Sequence, residues 1–172
     1  MMANAEERPG APAGKRIAGV FYRTVHKDNS ATPLSAEGCD WRNGRFHIAR
    51  QWRVHYLSGA PETSWKEITK WAGARLERRA FITYAVEARF RRIADLTDPT
   101  TRDQLGVTRE MLTGEDVTGC QALARRLREA EFEGLLTPSA ADSTGINLVI
   151  FEDCMLSGSR FGKPAPIRER KG

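Results

Sequence analysis

Residues 44–68 read GRFHIARQWRVHYLSGAPETSWKEI, and the fold turns on how this stretch divides. Gly44-Arg45 makes a turn, and residues 52–57 carry the aromatic and β-branched side chains of a short strand. Ser58-Gly59-Ala60-Pro61 then interrupts it, because Gly and Pro end regular structure and Pro suits the first position of a helix. The spacing predicts a helix over 62–74. At about 100° per residue, Trp65, Ile68, Trp71 and Ala72 share one side and Lys66 and Lys70 the other. Glu67 falls on the border near the line of Trp71, where indole rings would half-shield its charge.

The mixture continues in both directions. Residues 17–25 (IAGVFYRTV) read as a first strand bearing Arg23, and 26–43 as a long polar loop leading into Gly44. Residues 80–90 alternate, with Ile82, Tyr84, Val86, Ala88 and Phe90 on one face and Thr83, Glu87 and Arg89 on the other, as in a half-buried strand. Thr118-Gly-Cys-Gln121 has the form of a capping box, and Leu123, Ala124, Leu127 and Ala130 follow at helical spacing, so a helix is expected over 119–131. A strand over 132–137 stops at Pro138, and Gly145 releases the chain into a last buried strand, 146–152. Strands outnumber long helices, and the helices fall irregularly between them. The expected fold is α+β: one domain with a mixed, mainly antiparallel sheet and helices packed around it. Residues 1–15 are expected as a flexible lead, 16–155 as the domain and 156–172 as a mobile tail.

Composition narrows the function. A chain of 172 residues buries roughly 70% of its unfolded surface in one domain. Four Trp, seven Phe and a hydrophobic fraction of 40% supply an ordinary core. The formal charge is +5, but the arginines (75, 78 and 79; 89, 91 and 92; 125, 126 and 128) sit beside Glu77, Glu87, Asp95 and Glu129. That is a mixed solvated surface rather than a nucleic-acid strip, and an anionic small ligand or acidic partner accounts for the charge equally well. Three cysteines (39, 120 and 154) without CxxC spacing and three separated histidines (26, 47 and 55) give no metal pattern; reduced thiols in a cytoplasmic protein are expected. The polar start has no signal-peptide core, and no apolar run is long enough to cross a bilayer.

The polar residues of interest are ordinary one by one. A border Glu solvates a helix edge, a strand-end Tyr puts its hydroxyl at a rim, an Arg after a turn is surface, and a Ser after Pro caps local backbone. Their order carries more. Gly44-Arg45-Phe46, then Tyr56, then Pro61-Glu-Thr-Ser-Trp-Lys-Glu67 resembles the amino-terminal half of the RES-domain family. Residues 132–140 (FEGLLTPSA), a polar loop and Asn147-Leu-Val-Ile-Phe151 resemble its second half, and Phe21-Tyr-Arg23 and Asp95-Leu-Thr-Asp98 agree. The resemblance spans roughly residues 20 to 152. It departs where the family usually shows a second Gly before the turn, a Trp after the Arg and then Asn-Pro: here Asn43 precedes and Phe46-His47 follow.

The resemblance implies an ADP-ribosyltransferase-like core and the toxin half of a bacterial toxin–antitoxin pair that consumes NAD+ by hydrolysis or phosphorolysis. Its alternative is transfer of ADP-ribose to a protein, received by the basic segment Arg50, Arg53 and His55; a distant alternative, resting on charge alone, is a basic nucleic-acid-binding or RNA-cleaving toxin. The expected partner is a helix-turn-helix antitoxin; neither a metal nor a further cofactor is expected, nor a direct role for nucleic acid or membrane. Carried over, Arg45, Tyr56, Glu67 and Ser139 form the catalytic set, and Arg23, Phe46 and Asn147 bind substrate. The chemistry suits these side chains. Cleaving the nicotinamide–ribose bond makes an oxocarbenium-like cation that a carboxylate stabilises, and a guanidinium fork suits a diphosphate.

Overall fold

The computed structural model describes residues 12–73 and 79–171. Arg75, Glu77, Arg78, the last residue of the expected helix 62–74 and most of the expected lead lie outside the described residues. Among the described residues, seven strands and four α-helices alternate irregularly. In chain order they are β1 (Lys15–His26), β2 (Val54–Ser58), α1 (Pro61–Ala72), β3 (Ala80–Asp95), α2 (Pro99–Leu105), α3 (Arg109–Thr113), α4 (Thr118–Glu129), β4 (Gly134–Pro138), β5 (Ile146–Phe151), β6 (Arg160–Phe161) and β7 (Ala165–Lys171). The pairings β1-β2-β5-β4-β3 close on themselves because β3 also pairs β1, so five strands form a ring. Among the strand pairs of the described residues only β3–β4 is parallel. This is the α+β, mainly antiparallel architecture the sequence predicts.

Alternation sorts the core into two layers. On β5, Leu148 and Ile150 point into the ring with Leu57, Val86, Ile93 and Leu136. Val149 and Phe151 point outward with Val54, Leu135, Phe46 and Trp52, against Leu123, Ala124 and Leu127 of α4. Each such aliphatic side chain taken fully out of water contributes about 1.5–3 kcal/mol. Close packing also fixes Gly134, where a Cβ would lie 2.0 Å from the Val149 carbonyl.

Three expectations change. The capping box does not form: the α4 amino terminus is held by Asp116, whose Oδ1 accepts the Thr118 N–H at 2.9 Å, and Gln121 reaches instead to the Gly44 carbonyl at 3.0 Å. Helix α1 does not bury Trp71, which is 52% exposed, but Thr63 and Ser64. The segment 156–172, expected as a mobile tail, supplies two strands that pair with β3. Buried Glu133 organises that attachment by accepting N–H bonds from Arg91 (2.6 Å), Arg92 (2.9 Å) and Leu156 (2.8 Å).

Candidate active site

Alternation along three adjacent strands sets one polar row. Tyr56 and Ser58 share a face of β2; Ser58 pairs with Asn147 on β5, and Asn147 with Thr137 on β4. Ser139 continues the β4 face two residues later, just past Pro138. The break at Ser58 to Pro61 then carries α1 back over these strand ends. Its sheet-facing side is polar, with Thr63 and Ser64 buried and Glu67 one turn further on. A polar helix face remains stable because each group has a partner. Ser64 Oγ lies 2.9 Å from Thr24 Oγ1, itself 2.8 Å from Thr83 Oγ1. Thr63 donates to Asp142 Oδ2 at 2.7 Å.

Glu67 is the centre of the row. Ser139 Oγ donates to its Oε1 at 2.5 Å and Asn147 Nδ2 to the same oxygen at 2.6 Å. Among the described residues, Oε2 has no hydrogen bond. Ser139 Oγ also accepts the N–H groups of Ala141 (3.1 Å) and Asp142 (3.0 Å), so the loop 139–145 is wound around it. That loop is fastened to α1 by Lys66 on Asp142 (2.9 Å) and Lys70 on the Ala140 carbonyl (2.9 Å). Gly145 permits the approach: a Cβ there would lie 2.5 Å from Thr63 Cγ2. Hydrogen bonds from Lys66 and Thr63 hold the Asp142 carboxyl below its usual range.

Ser58 donates to Asn147 Oδ1 at 2.8 Å, which turns the Asn147 amide so that its NH2 faces Glu67. Tyr56 lies two residues back along β2, about 7 Å from Ser58 on the same face. Its phenol oxygen contacts the Phe46 N–H (3.0 Å) and His47 Nδ1 (3.0 Å) rather than Glu67, and burial pushes its pKa upward. Arg45 is nearly buried and donates to the Gly114 carbonyl at 2.7 Å. Gly44 is required for close approach rather than for a left-handed backbone, and what approaches is the His47 ring.

Five of the seven candidate residues fall into three groups, and Phe46 and Arg23 stand apart from them. Glu67, Ser139 and Asn147 are in direct contact; Tyr56 adjoins them through Ser58; Arg45 flanks the Gly44 turn. Phe46 is 1% exposed inside the outer core, so its ring packs between sheet and helices rather than at a mouth. Arg23 donates from one guanidinium nitrogen to the Ser35 carbonyl at 2.8 Å. Its other terminal nitrogen is buried without a partner among the described residues, and burial lowers its pKa. The indole shielding expected for Glu67 is replaced: Trp65 packs edge-on to Phe81, with ring centroids 5.7 Å apart, and lies under Arg170. Sequence reasoning missed Ser58 and Asp142; the period of two from Tyr56 along β2 was the signal for Ser58. A surface hollow of about 570 Å3 bounded by His26, Lys27, Asp28, Asn29, Arg79 and Ala80 contains none of these groups. Among the described residues no helix is long and apolar enough to cross a membrane, and no cluster of three metal-ligating side chains occurs.

Comparison with known proteins bears on this geometry. Residues 20–166 match the profile of the RES domain. The NAD(+) phosphorylase MbcT of Mycobacterium bovis is 25% identical over 135 residues, which cover 75% of this chain and 69% of that protein. A probable NAD(+) phosphorylase of Mycobacterium tuberculosis, Rv3189, is 33% identical over 104 residues, 57% of this chain and 48% of its own length. In overall fold the chain is similar to a chain of the crystal structure of the M. tuberculosis MbcT–MbcA toxin–antitoxin complex, with a TM-score of 0.76 at 23% identity over 94% of this chain and 90% of that one.

Proposed function

Because the chain belongs to the RES domain family, we propose that it is the toxin of a toxin–antitoxin pair and cleaves the nicotinamide–ribose bond of NAD+ in the cytoplasm. The observation that carries this reading is Glu67, held through one oxygen by Ser139 and Asn147 from two other parts of the fold, with the second oxygen unbonded among the described residues. The names of the relatives, NAD(+) phosphorylases, support the same substrate.

The chemistry follows from the charge. As the C1′–N bond breaks, its electron pair leaves on nicotinamide, which departs as a neutral base, and positive charge spreads over C1′ and the ring oxygen. A carboxylate fixed beside that sugar ring gains more in the transition state than in the ground state, because the positive charge sits on the nicotinamide ring before the bond stretches and passes to the ribose as it breaks. The Ser139 and Asn147 donors restrict how far Glu67 swings, so its free oxygen is set in advance. An oxygen of phosphate or water then adds to C1′. The unpaired nitrogen of Arg23 supports that residue, beside Arg45, as a ligand for the diphosphate; a buried guanidinium nitrogen without an acceptor is costly until an anion fills the place. Asn147 serves as a carboxylate orienter, while Phe46 supports the Gly44 turn from behind.

A protein acceptor has less support. Arg53 is paired with Asp40 and His55 bonds the Leu34 carbonyl, which leaves Arg50 alone of the three basic groups expected to greet an acidic target. A helix-turn-helix antitoxin remains the proposed partner. The test is NAD+ loss on incubation with pure protein and phosphate, with products identified by mass: ADP-ribose 1″-phosphate reports phosphorolysis and ADP-ribose hydrolysis. Glu67→Gln keeps the shape and removes the charge, and turnover should fall about 10²-fold or more. A Glu67→Gln protein as fast as wild type would remove Glu67 from the mechanism.

A further inference from the structure

His47 closes the Gly44 turn, and its surroundings fix its protons. Gly44 and His47 close a tight turn: the Gly44 N–H donates to the His47 carbonyl at 3.1 Å. A Cβ on Gly44 would stand 2.2 Å from His47 Cε1, 2.4 Å from Nδ1 and 2.9 Å from the Tyr56 oxygen, so glycine is what lets the imidazole lie against the turn. Nε2 is 3.0 Å from the Arg42 carbonyl and Nδ1 is 3.0 Å from the Tyr56 hydroxyl. A carbonyl cannot donate, so Nε2 carries the proton and the neutral ring offers Nδ1 as an acceptor. Burial, together with Arg42, holds the imidazole pKa below its ordinary value despite the opposing bond to the Arg42 carbonyl, which favours that neutral form. The Phe46 N–H meanwhile donates to the same phenol oxygen at 3.0 Å. Tyr56 thus gives its single proton to His47, takes one from Phe46 and keeps one lone pair.

We propose that His47 determines which substrate group Tyr56 accepts: by holding the phenol proton it presents Tyr56 to the dinucleotide as a hydrogen-bond acceptor, selecting a ribose hydroxyl or a carboxamide N–H over a phosphate oxygen. This rests on the NAD+ reading above. His47 is a positioning residue, acting through Tyr56 and not on the substrate.

The test combines spectroscopy on the wild type with two variants. Nitrogen-15 NMR of the imidazole should report a protonated Nε2 and a bare Nδ1 at neutral pH. His47→Phe keeps an aromatic ring but offers no acceptor, so the phenol proton turns away. The KM for NAD+ should rise about 3- to 10-fold, the worth of one neutral hydrogen bond, with kcat changed by less. His47→Asn places an amide oxygen near the Nδ1 position and should recover most of that loss. A proton found on Nδ1, an unchanged KM in His47→Phe, or a His47→Asn protein as impaired as His47→Phe would each overturn the proposal. A wild type inert towards NAD+ would instead refute the proposed function and with it the substrate choice, while the NMR result still decides the His47–Tyr56 pairing.

Discussion

Replacing Ser139 with Ala removes one oxygen that does three things. It donates to Glu67, and it accepts the N–H groups of Ala141 and Asp142. The lost bond to a carboxylate costs about 1.5–3 kcal/mol, and the Asp142 N–H, buried with no substitute acceptor, adds about 1–3 kcal/mol. Ala141 is only partly buried, and water reaches its N–H. Because neighbouring losses overlap, the total should be about 2–4 kcal/mol rather than the full sum. Catalysis suffers separately. Asn147 still grips Oε1, so Glu67 keeps one of two tethers and swings about it; turnover should fall roughly 10- to 100-fold. Urea unfolding followed by intrinsic fluorescence gives the first figure, and NAD+ consumption at saturating substrate gives the second. A Ser139→Ala protein within about 0.5 kcal/mol of wild type and within twofold in turnover would refute the idea that this hydroxyl anchors the carboxylate.

Two further outcomes are expected. Burial alone would raise the Glu133 carboxyl, but bonds from the Leu156, Arg91 and Arg92 N–H groups outweigh it and hold the pKa below the ordinary 4.5. Its stabilisation is thus complete above about pH 4.5 and lost as pH falls through the lower folded value; Glu133→Gln should be less stable by about 2–4 kcal/mol at pH 7, with the gap to wild type closing in acid unfolding curves below pH 4.5. Trp71→Ser, on the half-exposed side of α1, should change the stability read from urea unfolding by less than about 0.5 kcal/mol, whereas Trp65→Ala, which loses Phe81 and Arg170, should cost about 2–3 kcal/mol.

Hydrophobic patterning found β3, β5 and α4 because each is rich in apolar residues at its natural period: α4 packs one face on the outer core, β3 mainly faces the inner one, and β5 alternates between the two. It misjudged α1 for a physical reason. That helix covers strand ends where the sheet is polar, and Thr63, Ser64 and Glu67 are held by hydrogen bonds whose partners, Thr24, Asp142, Ser139 and Asn147, are 40 to 80 residues away in the chain. No local period announces a buried polar face. Asp116, two residues before Thr118, took the capping role because an Asx turn satisfies the same orphan N–H. Strand β7 hides for another reason: as an edge strand, mostly exposed, it lacks the inside–outside alternation by which strands are recognised, and its pairing partner, residues 80–85, is visible only once β3 is placed. The residues of the candidate site were named from order along the chain; their grouping into Glu67–Ser139–Asn147 and Tyr56–His47 required the register of β2 against β5.

The closure of the strand ring has a consequence for synthesis. Glu67 leaves the ribosome long before either of its donors, and β2 has no β5 to pair with until residue 151 has been made. A nascent chain halted at residue 130 contains the carboxylate yet has nothing to aim it. Since non-local pairings form late and slowly, the carboxylate stays unaimed until β5 has been made and has paired with β2 and β4.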